Sequence, residues 1–312
     1  MKAIQTRDLS KTYRSGFWMS KHEALHSLNI DVEPGEIFGF VGANGAGKTT
    51  TIKILAGLQD ASSGQATIFG QDCSLASART ALGFLPERPY FYTHVSAWEL
   101  LRFYGALFEL PDTVLNTRIE RLLERTNMKE FASVPLGKYS KGMLQRIGLC
   151  QALLNEPKLL LFDEPMSGLD PIGRALVREI ILEERDRGCT VFFSSHILSD
   201  VETVCDRIAI LHKGVLRGVG TLSELTGQQE KYFECICISS VNIPFEGRVS
   251  SHDSRHVFHV QEAELYDFIE CAKLQGAQIQ SITEHRRSLE EVFVDQVNSS
   301  QPLDPKNLGV LV

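Results

Sequence analysis

A chain of 312 residues with 43% hydrophobic and 23% charged side chains can bury a substantial core, which excludes a disordered or collagen-like polymer. With 32 basic against 39 acidic residues and a formal charge of −7, nucleic acid is not expected as a partner, because phosphate backbones select basic surfaces. Seven cysteines without framework spacing point to a reduced protein, and neither a membrane span nor a signal-peptide core is expected from the hydropathy.

In chain order, apolar runs at 37–41, 65–69, 158–162, 191–194 and 208–212 predict strands, the third a short apolar run as expected of a buried parallel strand. Helical patterns alternate with them, which predicts an α/β layered architecture. Ser96 and Glu99 form a capping-box pattern ahead of WELLRFYGALF, and an amphipathic helix is expected over 112–125. Asp170 followed by Pro171 suits an N-cap and first helical residue. Thr221 and Glu224 form a second capping-box pattern near a domain boundary. Beyond it, 232–238, 256–260 and 278–282 read as strands, and 264–276 and 288–297 as helices. That predicts a small α+β appendage over 221–297 and a tail over 298–312.

The chemistry concentrates in four motifs. Gly42, Ala43, Asn44, Gly45, Ala46, Gly47, Lys48, Thr49 and Thr50 satisfy GxxxxGK[ST] directly after the apolar strand IFGFV. Its glycines let backbone N–H groups converge on phosphate, Lys48 reaches the β and γ phosphates, and Thr49 is placed for Mg²⁺. LLLFDEP ends a strand in two carboxylates. Asp163 suits the metal shell, and Glu164 suits orientation of an attacking water. His196 follows the strand TVFFSS, where it is either a γ-phosphate donor or an ordinary polar loop residue. Ser140 opens the segment SKGMLQ, whose helix start offers a second anion-binding surface. Two such surfaces and one triphosphate loop make a head-to-tail pair of copies the economical arrangement.

These residues closely resemble the ATP-binding cassette (ABC) ATPases: GANGAGKTT, YSKGMLQR, LLLFDEPMSGLDP and SSH occur in the family's order. The resemblance covers about 2–220 and implies a P-loop NTPase fold with a mixed sheet and a helical subdomain at about 88–157. It implies ATP and Mg²⁺ as ligands, Asp163 as the metal carboxylate, Glu164 as catalytic base and His196 as the switch histidine. Ser140 and Gly142 are then the signature residues that reach the other copy's γ phosphate, and Asp170 belongs to the D-loop. Tyr13, which carries no signal by itself, corresponds to the aromatic that stacks on adenine. The sequence departs from the family at Lys141, which either adds charge near phosphate or faces solvent. It departs again at Glu87, in place of a glutamine, where a contact with Mg²⁺ or water is retained but negative charge is added. A third departure is the long segment around Phe17 and Trp18, suited to a partner contact or to local packing, of which packing is expected.

LPE at Glu87, the KGM signature and the appended domain are similar to ABC-2-type export cassettes. The resemblance implies a homodimer acting at the cytoplasmic face of the membrane on a separate multi-span permease, without direct cargo binding. Tyr90, Phe91, Tyr92 and Trp98 lie where such cassettes receive the permease, with Tyr90 and Tyr92 expected to be exposed before Trp98. A soluble non-transport ABC ATPase and a nucleotide-sensing module with little turnover are the competing readings. In the appendage, Cys235, Cys237, His252, His256 and His259 make a metal site conceivable, but their spacing fits none; a regulatory or dimerising role is expected.

Overall fold

The computed structural model describes residues 1–15, 20–226, 232–239, 243–252, 254–285 and 288–298. Phe17, Trp18 and the predicted tail from 299 onward lie outside the described residues. Chain packing groups Met1–Leu222 into one compact unit and Ser223–Asp295 into another.

The first unit is built on a six-stranded sheet in the order Val215–Gly220, Arg207–His212, Ile37–Val41, Thr190–Ser195, Leu159–Phe162, Leu82–Leu85. All neighbours are parallel except the first pair. The central strands are buried along their whole length, and two of them, IFGFV and LLLF, read as runs without a polar side chain. Phe192 stacks on Phe38 at 5.6 Å and leans on Phe40 at 5.3 Å.

A second, antiparallel sheet runs Ser20–Val32, Ile4–Ser15, Ser63–Ile68, Gln71–Asp72. Its inner residues Ile4, Leu9, Leu25, Leu28 and Ile30 share one core with Phe40, Phe192 and Leu211 of the large sheet. Ile52 and Leu55 of the helix Lys48–Leu55 belong to the same core. The sheets thereby hold that helix and the loop before it on a rigid base. The strand expected at 65–69 is observed as Ser63–Ile68, ending before Phe69, whose φ of 46° leaves the extended region.

Three helices form the intervening helical region: Ala97–Leu107, Asp112–Arg125 and Lys141–Leu153. The first begins with the capping box predicted for Ser96 and Glu99, both reciprocal bonds being present. Helix Pro171–Asp186 starts at Asp170, whose side chain accepts the Gly173 N–H at 2.8 Å.

The second unit is a four-stranded antiparallel sheet, Arg248–His252, Arg255–Gln261, Tyr232–Ile238, Gln278–His285, with helix Leu265–Leu274 on one face. Cys235, Cys237, Phe258, Val260, Phe268 and Ala272 make its core. The two thiols point into that core, and His256 spends its ring nitrogens on Ser251 and the Ser239 carbonyl. Among the described residues no three metal-binding side chains converge.

Candidate nucleotide site

The strand Ile37–Val41 delivers the chain to Gly42, where any Cβ would lie 2.4 Å from the Leu211 carbonyl oxygen. At Gly47 φ is 108°, and a Cβ would stand 2.6 Å from the Ala24 carbonyl oxygen. Only glycine meets both demands, so the loop curls tightly before the helix begins at Lys48. That helix carries no acidic residue in its first turn, so its positive end is uncompensated from within.

Lys48 is 5% exposed. Its ammonium donates to the Gly42 carbonyl at 2.6 Å and stands 3.2 Å from Glu164 Oε1 as an ion pair. Glu164 Oε2 lies 2.7 Å from His196 Nδ1 and also accepts the His196 backbone N–H at 3.4 Å. Lys48, Glu164 and His196 are therefore linked in one polar chain across three elements. Glu164 itself has φ 52°, a left-handed conformation for a residue with a Cβ, at the turn off the buried strand.

Asp163 is buried beside Thr49, whose hydroxyl donates to Oδ1 at 3.2 Å, and Ser194, which donates to the same oxygen at 2.7 Å. Burial pushes the Asp163 carboxyl above its usual range, the two hydroxyls oppose the shift, and the charges of Glu164 and Glu87 add to it. A buried carboxylate under that pressure, with an adjacent hydroxyl, is a donor set of hard oxygens of the kind Mg²⁺ selects.

Lys48, Thr49, Glu164 and His196 open on a cavity of about 540 Å³ lined also by Tyr13, His22, Ala24, Asn44, Gly45, Ala46, Gly47, Thr50, Glu87 and Ser167; Asp163 and Ser194 do not line it. Of the residues expected from the sequence, the cavity thus gathers Tyr13, the loop from Asn44 to Thr50, Glu87, Glu164 and His196. Gly42 lies beneath as an acceptor for Lys48, as does Ala43 at 3.3 Å. Tyr13 is half-buried at the rim, donating to Gln59 at 2.9 Å with Thr50 Oγ1 at 3.2 Å. Ser140, Gly142 and Asp170 do not line this cavity. Ser140 caps the helix Lys141–Leu153 by accepting the Met143 N–H at 3.2 Å, and its own side is exposed. Lys141 lies against Gly168, so the start of that helix and the D-loop form one surface.

Two lining residues, His22 and Ala24, escape sequence reasoning; Ser167 belongs to the motif LLLFDEPMSGLDP. His22 pairs with Tyr13 across the Ile4–Ser15 and Ser20–Val32 hairpin. Had that polar hairpin been read as two strands, its register would have brought His22 to the rim.

Fold and cavity together define a P-loop nucleotide-binding protein. The ABC transporter family profile matches residues 25–167. An uncharacterised ABC transporter ATP-binding protein of Nostoc sp. is 42% identical over 305 residues, covering 94% of this chain and 89% of that protein. The bacitracin transport ATP-binding protein BcrA of Bacillus licheniformis is 38% identical over 234 residues, 74% of each chain. Among solved structures, an ATP-binding subunit of an ABC transporter superposes with a TM-score of 0.65 at 31% identity, covering 72% of this chain and 91% of that one. The chain belongs to the ABC transporter ATP-binding proteins, a family whose members are ATPases.

Proposed function

We propose that this chain is the ATP-hydrolysing subunit of an ABC-2-type exporter, closing as a homodimer over two ATP–Mg²⁺ sites to drive a separate membrane permease. The single observation that supports it most is the Lys48–Glu164–His196 chain at the floor of the loop cavity. On this reading the loop N–H groups and Lys48 bind the triphosphate. Glu164 orients the water and takes its proton, while His196 donates to the γ phosphate. Thr49 and Asp163, with Glu87 of the cavity lining, would hold Mg²⁺, which when bound neutralises charge on the phosphate oxygens.

Ser140 and Gly142 then serve the partner copy's nucleotide, with Asp170 in the loop that joins the two sites. Their place outside their own cavity, with Ser140 exposed, supports this division. Tyr90, Tyr92 and Phe103 are 87%, 68% and 56% exposed, whereas Trp98 is half-buried. Such aromatics supply the apolar contact a permease segment needs. Among the described residues no helix is long and apolar enough to cross a membrane, so membrane attachment is assigned to that second protein. Similarity to a bacitracin transport ATP-binding protein supports transport; cargo selection belongs to the permease. The domain division proposed is a cassette over 1–220, with its helical subdomain at about 88–157, and an accessory domain over 221–297.

The decisive variant is Glu164→Gln. Steady-state hydrolysis is expected to fall at least about a hundredfold with ATP binding retained. Turnover at the parental rate removes Glu164 from its role.

A further inference from the structure

Between the strand that ends in the two acids and the strand that leads to His196 lies one hydroxyl not used by the mechanism above. Ser194 is fully buried in Thr190–Ser195, one rung beyond the pairing of Phe162 with Phe193, and level with Phe40 of the central strand. Its Oγ donates to Asp163 Oδ1 at 2.7 Å and accepts the Glu164 backbone N–H at 2.9 Å. The proton's position follows from the partners. A backbone N–H can only donate, so the single hydroxyl hydrogen goes to the carboxylate. Thr49 reaches the same Oδ1 from the helix side at 3.2 Å, so the carboxylate is held from a strand and a helix at once.

Glu164 meanwhile departs from the strand in a left-handed conformation, which persists only where its surroundings hold it. Its side chain is held by His196 and Lys48; its amide is held by Ser194. One hydroxyl thus joins the backbone of the proposed base to the side chain of the proposed metal ligand.

We infer that Ser194 is a positioning residue for hydrolysis, fixing the Asp163 carboxylate and the Glu164 backbone relative to each other through a single shared hydroxyl. The inference rests on the roles proposed for those two acids. Ser194 does not line the cavity and acts only through its neighbours. An alanine there leaves two buried polar groups without this partner, and a cysteine keeps the shape but bonds weakly.

The test uses the full chain carrying Ser194→Ala, Ser194→Cys or, as reference, Glu164→Gln. Melting, ATP binding with and without Mg²⁺, and steady-state kinetics are measured on each. For both serine variants, ATP affinity without Mg²⁺ stays within about twofold of the parent. The Mg²⁺ concentration that half-saturates its effect on ATP binding rises about threefold or more, and kcat falls about tenfold with KM changing far less. A folded serine variant whose kcat and Mg²⁺ dependence both stay within about twofold of the parent overturns the role. If Ser194→Ala fails to fold, Ser194→Cys decides by the same criteria. Parental turnover in Glu164→Gln instead removes the reading beneath this one. An inactive Glu164→Gln beside fully active serine variants removes Ser194 alone.

Discussion

Gly47 shows how much of the site is decided by single atoms. Its φ of 108° and the Ala24 carbonyl 2.6 Å from any Cβ mean that Gly47→Ala must both strain the backbone and displace a strand. Destabilisation of about 3 kcal/mol is expected, read by urea unfolding; a change below about 1 kcal/mol would mean that the loop relaxes freely. Glu36 offers a pH-dependent case. It is buried, and burial raises its pKa, against the Glu33 N–H bond and the Arg207 charge that lower it. A raised folded-state value gives stability that is fully present below the unfolded pKa and is lost as pH rises through the folded one. Glu36→Gln keeps the acceptor for Glu33 and removes that loss. Melting measured from acid toward neutral pH should therefore decline less in the variant than in the parent across that window.

At the scale of elements, the helical region is fastened to the core by charge. Arg125, ending the helix Asp112–Arg125, bonds Glu184 at 2.7 Å and Glu183, both on the helix Pro171–Asp186. Glu184 is 5% exposed and keeps Arg187 at 2.9 Å as a second partner. Arg125→Ala should therefore cost about 2 kcal/mol, less than a pair with no second partner. Denaturant unfolding checks this, and an unchanged midpoint would show that Arg187 alone suffices. Elements with local signatures were legible in the sequence: the capping box at Ser96, the Asp170–Pro171 start, and the apolar strands at 37–41 and 159–162. Strands Ile4–Ser15, Ser20–Val32, Val215–Gly220 and Arg248–His252 were not. Their mixed polar composition carries little strand signal, and pairing with distant neighbours makes them strands.

For the whole molecule, the outward-facing Ser140 and the cavity without it predict that a complete site needs two copies. With Mg²⁺ and ATP, Glu164→Gln should accumulate as a dimer by size-exclusion with light scattering. Adding Ser140→Arg should return it to monomer by placing a bulky side chain at the contact. A double variant that still dimerises would refute the head-to-tail arrangement. The aromatic surface at Tyr90, Tyr92 and Phe103 lies on the same compact unit as the nucleotide cavity. The proposed coupling between ATP and a permease would act through that one unit.

The sequence by itself determined the phosphate loop, the paired acids at a strand end and the starts of the main helices. Each is a local pattern whose backbone geometry follows from a few neighbouring residues. Net charge carried almost nothing, because the proposed anion site draws on backbone N–H groups and one lysine. Tertiary structure decided which side chains meet. Thr49 and Asp163 are 114 positions apart, yet their oxygens lie 3.2 Å from each other. Ser194 joins Asp163 to Glu164 only because two strands run parallel in register, and His22 reaches the cavity only through its pairing with Tyr13. Strand order and register are set by packing of the whole sheet, and no short stretch of sequence contains that information.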